Sequence, residues 1–194
     1  MIFITDFADQ AVMLPVVLAV ALAMAARGWW RGAFAWLGVI GVTFGVVLIL
    51  KLGFLACSPV FAVWGVQSPS GHTAAAAMVA GGLGVLLTRR FAIWPVALIA
   101  AIAIGISRVF LGFHSLPEVL IGGTLGFAGA AILPRLAGPA PPSGRLSPLL
   151  AALLVAVLLH GLRLPAEAAI WEVSRGALDF VPACRGGQSI IRSG

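Results

Sequence analysis

Charge is what this sequence has least of. Asp, Glu, Lys and Arg make up 9% of its 194 residues, against about 25% in a soluble globular domain. The shortage extends along the whole chain, and the mean hydropathy is +1.12. That speaks against a soluble enzyme and against a second, soluble domain; it fits an integral membrane protein. No Lys or Arg precedes the first apolar run, so no cleavable signal peptide is expected. No internal repeat is visible, and the one low-complexity segment is the linker GPAPPSG, Gly138–Gly144. The two cysteines, Cys57 and Cys184, show no Cys/His spacing suited to a metal. Neither a metal nor a cofactor is expected. Basic residues are not interleaved with aromatics, so the high pI of 11.4 does not point to nucleic acid.

What remains is a series of uncharged runs: Gln10–Ala26, Gly32–Leu50, Leu52–Thr88, Phe91–Ser107, Val119–Pro134 and Leu146–Leu162. The third is too long for one span and is broken by SPSGH, Ser68–His72. Starting a helix at His72 leaves residues 52–71 as a long apolar connection. The expected fold is all-α: six transmembrane helices at about 10–26, 32–50, 72–88, 91–107, 116–134 and 146–163. Ile170, Val173, Ala177 and Val181 recur at helical spacing in the tail, with Glu172, Arg175 and Asp179 on another face. They predict a short amphipathic helix lying at the membrane interface.

Charge also sets the orientation. The connections after spans one, three and five carry Arg27, Arg31, Arg89, Arg90, Arg135 and Arg145, with no acid. The opposite side carries the other six basic residues and all six acids. By the positive-inside rule the first side is cytoplasmic. Both termini, SPSGH and the connection after span four then face outward. Both cysteines fall on that outer side, where a disulfide between them would tie the tail to the connection after span two; two unrelated small residues is the other reading.

Four places break the apolar rule on the outer side. Lys51, at the end of span two, reads either as an anchor that snorkels to the interface or as a functional cation. In PSGH, Pro69 and Gly71 make a turn, Ser70 caps the next helix, and free N–H groups at that helix start suit an anion such as phosphate. His72 would lie beside that anion. In SRVFLGFHSLPEV, Ser107–Val119, Arg108 offers the planar fork that binds phosphate. Ser115 to Glu118 has the form of a capping box, and Glu118 is close enough in sequence to orient His114. Lastly, His160 and Arg163 stand three apart on one expected helical face.

These residues resemble the type 2 phosphatidic acid phosphatase family of membrane lipid phosphatases, whose superfamily includes the vanadium-dependent haloperoxidases. The family pattern is K-x-x-x-x-x-x-R-P, then P-S-G-H, then S-R-x-x-x-x-x-H-x-x-x-D. Here the second motif is complete at Pro69, Ser70, Gly71 and His72, and the third matches at Ser107, Arg108 and His114. Glu118 replaces the final aspartate. In the first motif Lys51 and Pro59 match, but Ser58 stands in place of arginine.

The resemblance implies a lipid phosphatase acting at the outer face of the cell membrane without a metal. In it, His114 attacks phosphorus, Glu118 orients His114, and His72 protonates the leaving oxygen. Lys51, Ser70, Gly71 and Arg108 hold the phosphoryl oxygens. The substrate is a lipid phosphate or diphosphate, with polyprenyl diphosphate, phosphatidate and phosphatidylglycerophosphate all open. A phosphotransferase, or a non-catalytic relative that binds or moves phosphorylated lipid, are the alternatives. Arg163 is the first candidate to replace the missing arginine, with Arg175 and Arg185 next.

Overall fold

The computed structural model describes residues 1–57, 65–88, 93–141 and 146–177. Ser58, Pro59, Arg89, Arg90, Arg145, Asp179, Val181, Cys184, Arg185 and Arg192 lie outside the described residues, as does the Arg175 side chain. Among the described residues every regular element is a helix: α1 (Ile2–Asp6), α2 (Gln10–Ala26), α3 (Trp30–Ala56), α4 (Gly71–Thr88), α5 (Ile93–Phe110), α6 (Leu116–Ala137), α7 (Leu146–Leu159) and α8 (Ala166–Ala177). α3 and α6 are long and apolar enough to cross a membrane. α2 and α7 are shorter apolar helices.

α4 is the hub. It packs on α6, α5 and α3. Its sequence explains why: Ala74–Ala77 are all buried, and four consecutive alanines cover every face of a helix with small groups. A helix apolar all round belongs in a core. α6 answers with glycine. A Cβ at Gly122 would collide with the Ser70 carbonyl oxygen, and one at Gly126 with the Ala74 carbonyl oxygen. Two glycines one turn apart therefore let the α4 backbone lie directly on α6, as small residues do at membrane helix contacts. Below this contact Val12, Val16, Val20, Met24, Trp36 and Leu133 form the main core. The Trp36 indole N–H donates to the Val17 carbonyl at 3.0 Å, satisfying its one polar atom.

Other faces remain apolar and outward. Leu14, Leu18 and Leu22 recur every fourth residue along α2 and are more than half exposed.

α5 and α6 each run three residues past their expected ends, to Phe110 and Ala137, and two other helix ends differ in ways that bear on the site. α3 continues past Leu50 to Ala56, so Lys51 lies within the helix rather than at its mouth. α7 stops at Leu159, and Gly161, at φ +89°, turns the chain. His160 and Arg163 therefore do not share a helical face. The tail helix is present as α8, strongly amphipathic and packed near α3. α1, too short to show a periodicity, was not expected; it packs on α5.

Candidate active site

The corner between α5 and α6 sets the position of His114. α5 ends in a turn through Gly112, whose φ is +71°. The Gly112 N–H donates to the Val109 carbonyl at 3.0 Å, and the Phe113 N–H reaches back to Arg108 at 3.0 Å. This pair of bonds is a Schellman closure, which calls for glycine at the left-handed position. The His114 N–H also bonds the Arg108 carbonyl, at 3.3 Å. The spacing from Arg108 to His114 is thus the length of a helix stop that folds back on itself. The Arg108 guanidinium then lies 4.4 Å from the Phe113 ring centroid, a cation–π contact.

Glu118 ties the corner to the SPSGH turn. Its Oε2 lies 2.9 Å from His114 Nδ1 and accepts the Ser115 N–H at 2.9 Å, one limb of the expected capping box. Its Oε1 accepts the Gln67 N–H and the Ser68 N–H, the latter at 2.8 Å. Its backbone carbonyl accepts the Ser70 N–H at 3.0 Å. A carboxylate only accepts, so His114 Nδ1 carries the proton and Nε2 presents its lone pair.

The phosphate-binding candidates gather around this pair. Ser70 caps α4 through a 3.4 Å bond from the Thr73 N–H, and its hydroxyl meets the Thr73 hydroxyl at 2.9 Å. Lys51 is 2% exposed, with its Cε in van der Waals reach of a Cβ built on Gly71. That corrects the snorkelling reading: the ammonium is inside the protein, on the helix start. Arg108 and Glu118 are 7% and 4% exposed. Buried charges are costly unless partnered, and these converge on one imidazole. Burial pushes His114 below its ordinary value of 6.5, the Lys51 and Arg108 charges push the same way, and the Glu118 bond opposes them. A neutral imidazole is the form that can attack an electrophile.

His72 occupies the first turn of α4 beside Gly71, with Nε2 3.7 Å from Asp9 Oδ2. Arg163 donates from Nε and an Nη to the two oxygens of Asp6 at 2.8 and 2.9 Å. These bonds hold Asp6 below the usual carboxylate range, and they occupy the guanidinium that the sequence offered as a substitute phosphate ligand. Cys57 is disulfide-bonded; Cys184 lies outside the described residues.

A family model for the PAP2 superfamily matches residues 35–140, more than half of the chain. The chain belongs to the PAP2 superfamily. No curated protein and no solved structure matches it. The matched span holds Lys51, the PSGH turn and the Arg108–Glu118 corner. PAP2 membership and the two long apolar helices together support association with a membrane and phosphatase-type chemistry on phosphorylated substrates.

Several residues at the site were not found from sequence. Thr73 lies one position past the PSGH motif, and Gly112 lies inside SRVFLGFH at a position the motif leaves open. Gly122 and Gly126 carried a usable signal, small residues one turn apart in an apolar helix. Asp6 and Asp9 carried one too, since acids are rare here and both precede the first apolar run.

Proposed function

We propose that this protein hydrolyses a lipid phosphate or diphosphate at the outer face of the cell membrane through a phospho-histidine intermediate. The observation that carries this reading is the 2.9 Å His114–Glu118 bond, set among the buried charges of Lys51 and Arg108. His114 Nε2 attacks phosphorus while Glu118 holds the Nδ1 proton. The bond from phosphorus to the leaving oxygen breaks, and His72 supplies a proton to that oxygen. Water then attacks the phospho-histidine, its proton passes to His72, and the P–N bond breaks. Lys51, Arg108, the Ser70 hydroxyl and the Gly71 N–H stabilise the oxyanions as charge shifts. The nucleophile is a side chain, so the scheme needs no metal-activated water.

Lipid as the substrate class rests on the apolar outer surface and on a groove of about 360 Å³ beside the corner. Thr73, Gly105, Val109, Leu116, Val119 and Leu120 are among its lining residues. Thr73 joins it to the Ser70 turn, so a headgroup on that turn would leave its hydrocarbon chain in the groove. Six spans, with both termini outward, agree with the charge asymmetry of the connections. In this reading Cys57 pairs with Cys184, fixing the tail at the outer face.

Phosphate release from short-chain phosphatidate and from a polyprenyl diphosphate, by purified wild-type and His114→Ala protein, tests the proposal. Release by wild type alone, with an acid-labile and alkali-stable phospho-enzyme, is expected. Equal release by both, or none by either, overturns it.

A further inference from the structure

The mechanism above leaves two buried carboxylates unused, and both lie near its proton donor. Asp9 caps α2 through the Ala11 N–H at 2.9 Å. From the far end of the chain the Leu164 N–H donates to the same Asp9 oxygen, Oδ1, at 3.1 Å. Oδ2 is the oxygen turned to His72, with 12% exposure on each side chain. Asp6 is taken up by Arg163. His160 braces the segment: its ring lies 4.3 and 4.2 Å from the rings of Phe3 and Phe7, with Nε2 2.9 Å from the Phe3 carbonyl oxygen. The N-terminal segment and the chain after α7 thus form a collar that presents a carboxylate to the first turn of α4.

We propose that Asp9 is a positioning residue for His72: it holds the Nε2 side of the ring and favours the imidazolium that gives a proton to the leaving oxygen. This role rests on the phosphatase reading. The reaction needs two histidines in opposite states, one neutral to attack and one charged to donate. The two surroundings divide that way. His114 faces Lys51 and Arg108; His72 faces Asp9, with Asp6 near enough to feel its charge. Environments that separate two titrating groups assign acid and base roles. As the P–O bond breaks, its electron pair goes to the leaving oxygen, which takes the His72 proton. His72 is then neutral beside the Asp9 carboxylate, ready to accept a proton from the attacking water.

Asp9 is also a helix cap, so the test must separate the two jobs. Asn caps as well as Asp but cannot stabilise an imidazolium by charge. Purified Asp9→Asn is assayed on short-chain phosphatidate, whose alkoxide leaves only with a proton, and on p-nitrophenyl phosphate, whose phenolate leaves without one. The expected result is a fall of about tenfold or more in the rate of phospho-enzyme formation from phosphatidate, with the p-nitrophenolate burst from p-nitrophenyl phosphate within about threefold of wild type. Asp9→Ser, another capping residue, should show the same selectivity, and Asp6→Asn should not. In a His72→Ala background Asp9→Asn should have no further effect. An equal loss on both substrates, no loss on either, or an additive loss in the double variant overturns the role. Wild-type protein inactive on both substrates overturns the phosphatase reading and this role with it.

Discussion

His114 and His72 are held by different means. The bonds that set the angle of His114 come from one stretch, Arg108 to Glu118: the Schellman closure at Gly112, the return bond to Arg108, and the Glu118 carboxylate. His72 meets Asp9, which is braced from the chain after α7. The first arrangement is local and tight; the second is assembled from the two ends of the sequence and is looser. Local construction sets the angle of the proposed nucleophile within one corner. Long-range construction makes the proposed acid depend on the collar. The two sides should therefore fail differently when perturbed.

The largest effect is expected at Glu118, where the local side joins the PSGH turn. Glu118→Gln keeps an acceptor but removes the charge that steadies His114. A loss of roughly 10²–10⁴-fold in kcat is expected, and because an amide NH2 replaces one oxygen that accepts two donors, stability should fall by about 1–3 kcal/mol as well. In Glu118→Asp the balance should shift toward stability. The shorter side chain cannot span both His114 and the Gln67–Ser68 N–H groups from the same backbone position. Leaving buried donors unsatisfied costs about 1–3 kcal/mol, so stability should fall more than kcat does. If Glu118→Asp gains stability, the four-way role of this carboxylate is wrong.

Next in size is Gly122→Ala. The added methyl meets the Ser70 carbonyl oxygen, which is backbone and has little room to move. Overpacking of this kind costs about 1–3 kcal/mol. Because Ser70 and Gly71 belong to the proposed phosphate cradle, KM for lipid phosphate should rise along with the loss of stability. Gly45→Ala, on α3 with open space at its Cβ, is the control and should leave KM unchanged.

The pH dependence separates the two histidines. Burial and two cations hold His114 below 6.5, so the attacking form persists into mild acid. The acid limb of kcat should therefore lie below pH 6.5, and Lys51→Met should move what activity remains toward higher pH. The sign for stability is the same. A group whose folded value is depressed stabilises the fold above its unfolded value, and that contribution fades as pH falls through the folded one. An acid limb above pH 7 in wild type would place the controlling titration elsewhere.

The contrast between the two sides also explains what could be read in advance. The Ser70 cap, the Ser115–Glu118 box and the Arg108–His114 spacing are local, and short-range chemistry writes them into consecutive residues. The uncharged run Gln10–Ala26 coincides with α2, and the SPSGH break marked the start of α4 to within one residue. The collar was not legible, because nothing in a sequence says that Asp9 will lie beside a turn sixty-three residues later. Helix ends misled for a related reason. Lys51 ends an uncharged run but not a helix, since a buried partner set can hold a cation inside α3. Arg163 suggested a phosphate ligand by its side of the membrane alone, a criterion that Asp6 satisfies as well.

That last point gives the smallest expected effect. Arg163 is 57% exposed on its side chain and paired with Asp6, while Arg108 is buried beside His114. Arg163→Ala should leave phosphatidate turnover within about twofold, whereas Arg108→Ala, removing a transition-state donor, should cost about 10²–10³-fold. Exposure to water weakens an ion pair, so the collar should survive losing this contact as long as Asp9 keeps the Ala11 and Leu164 bonds. If Arg163→Ala instead matched Arg108→Ala, the guanidinium would have to leave Asp6 during turnover. The freed carboxylate would then stand beside His72, and the collar would be a moving part of the reaction rather than a fixed brace.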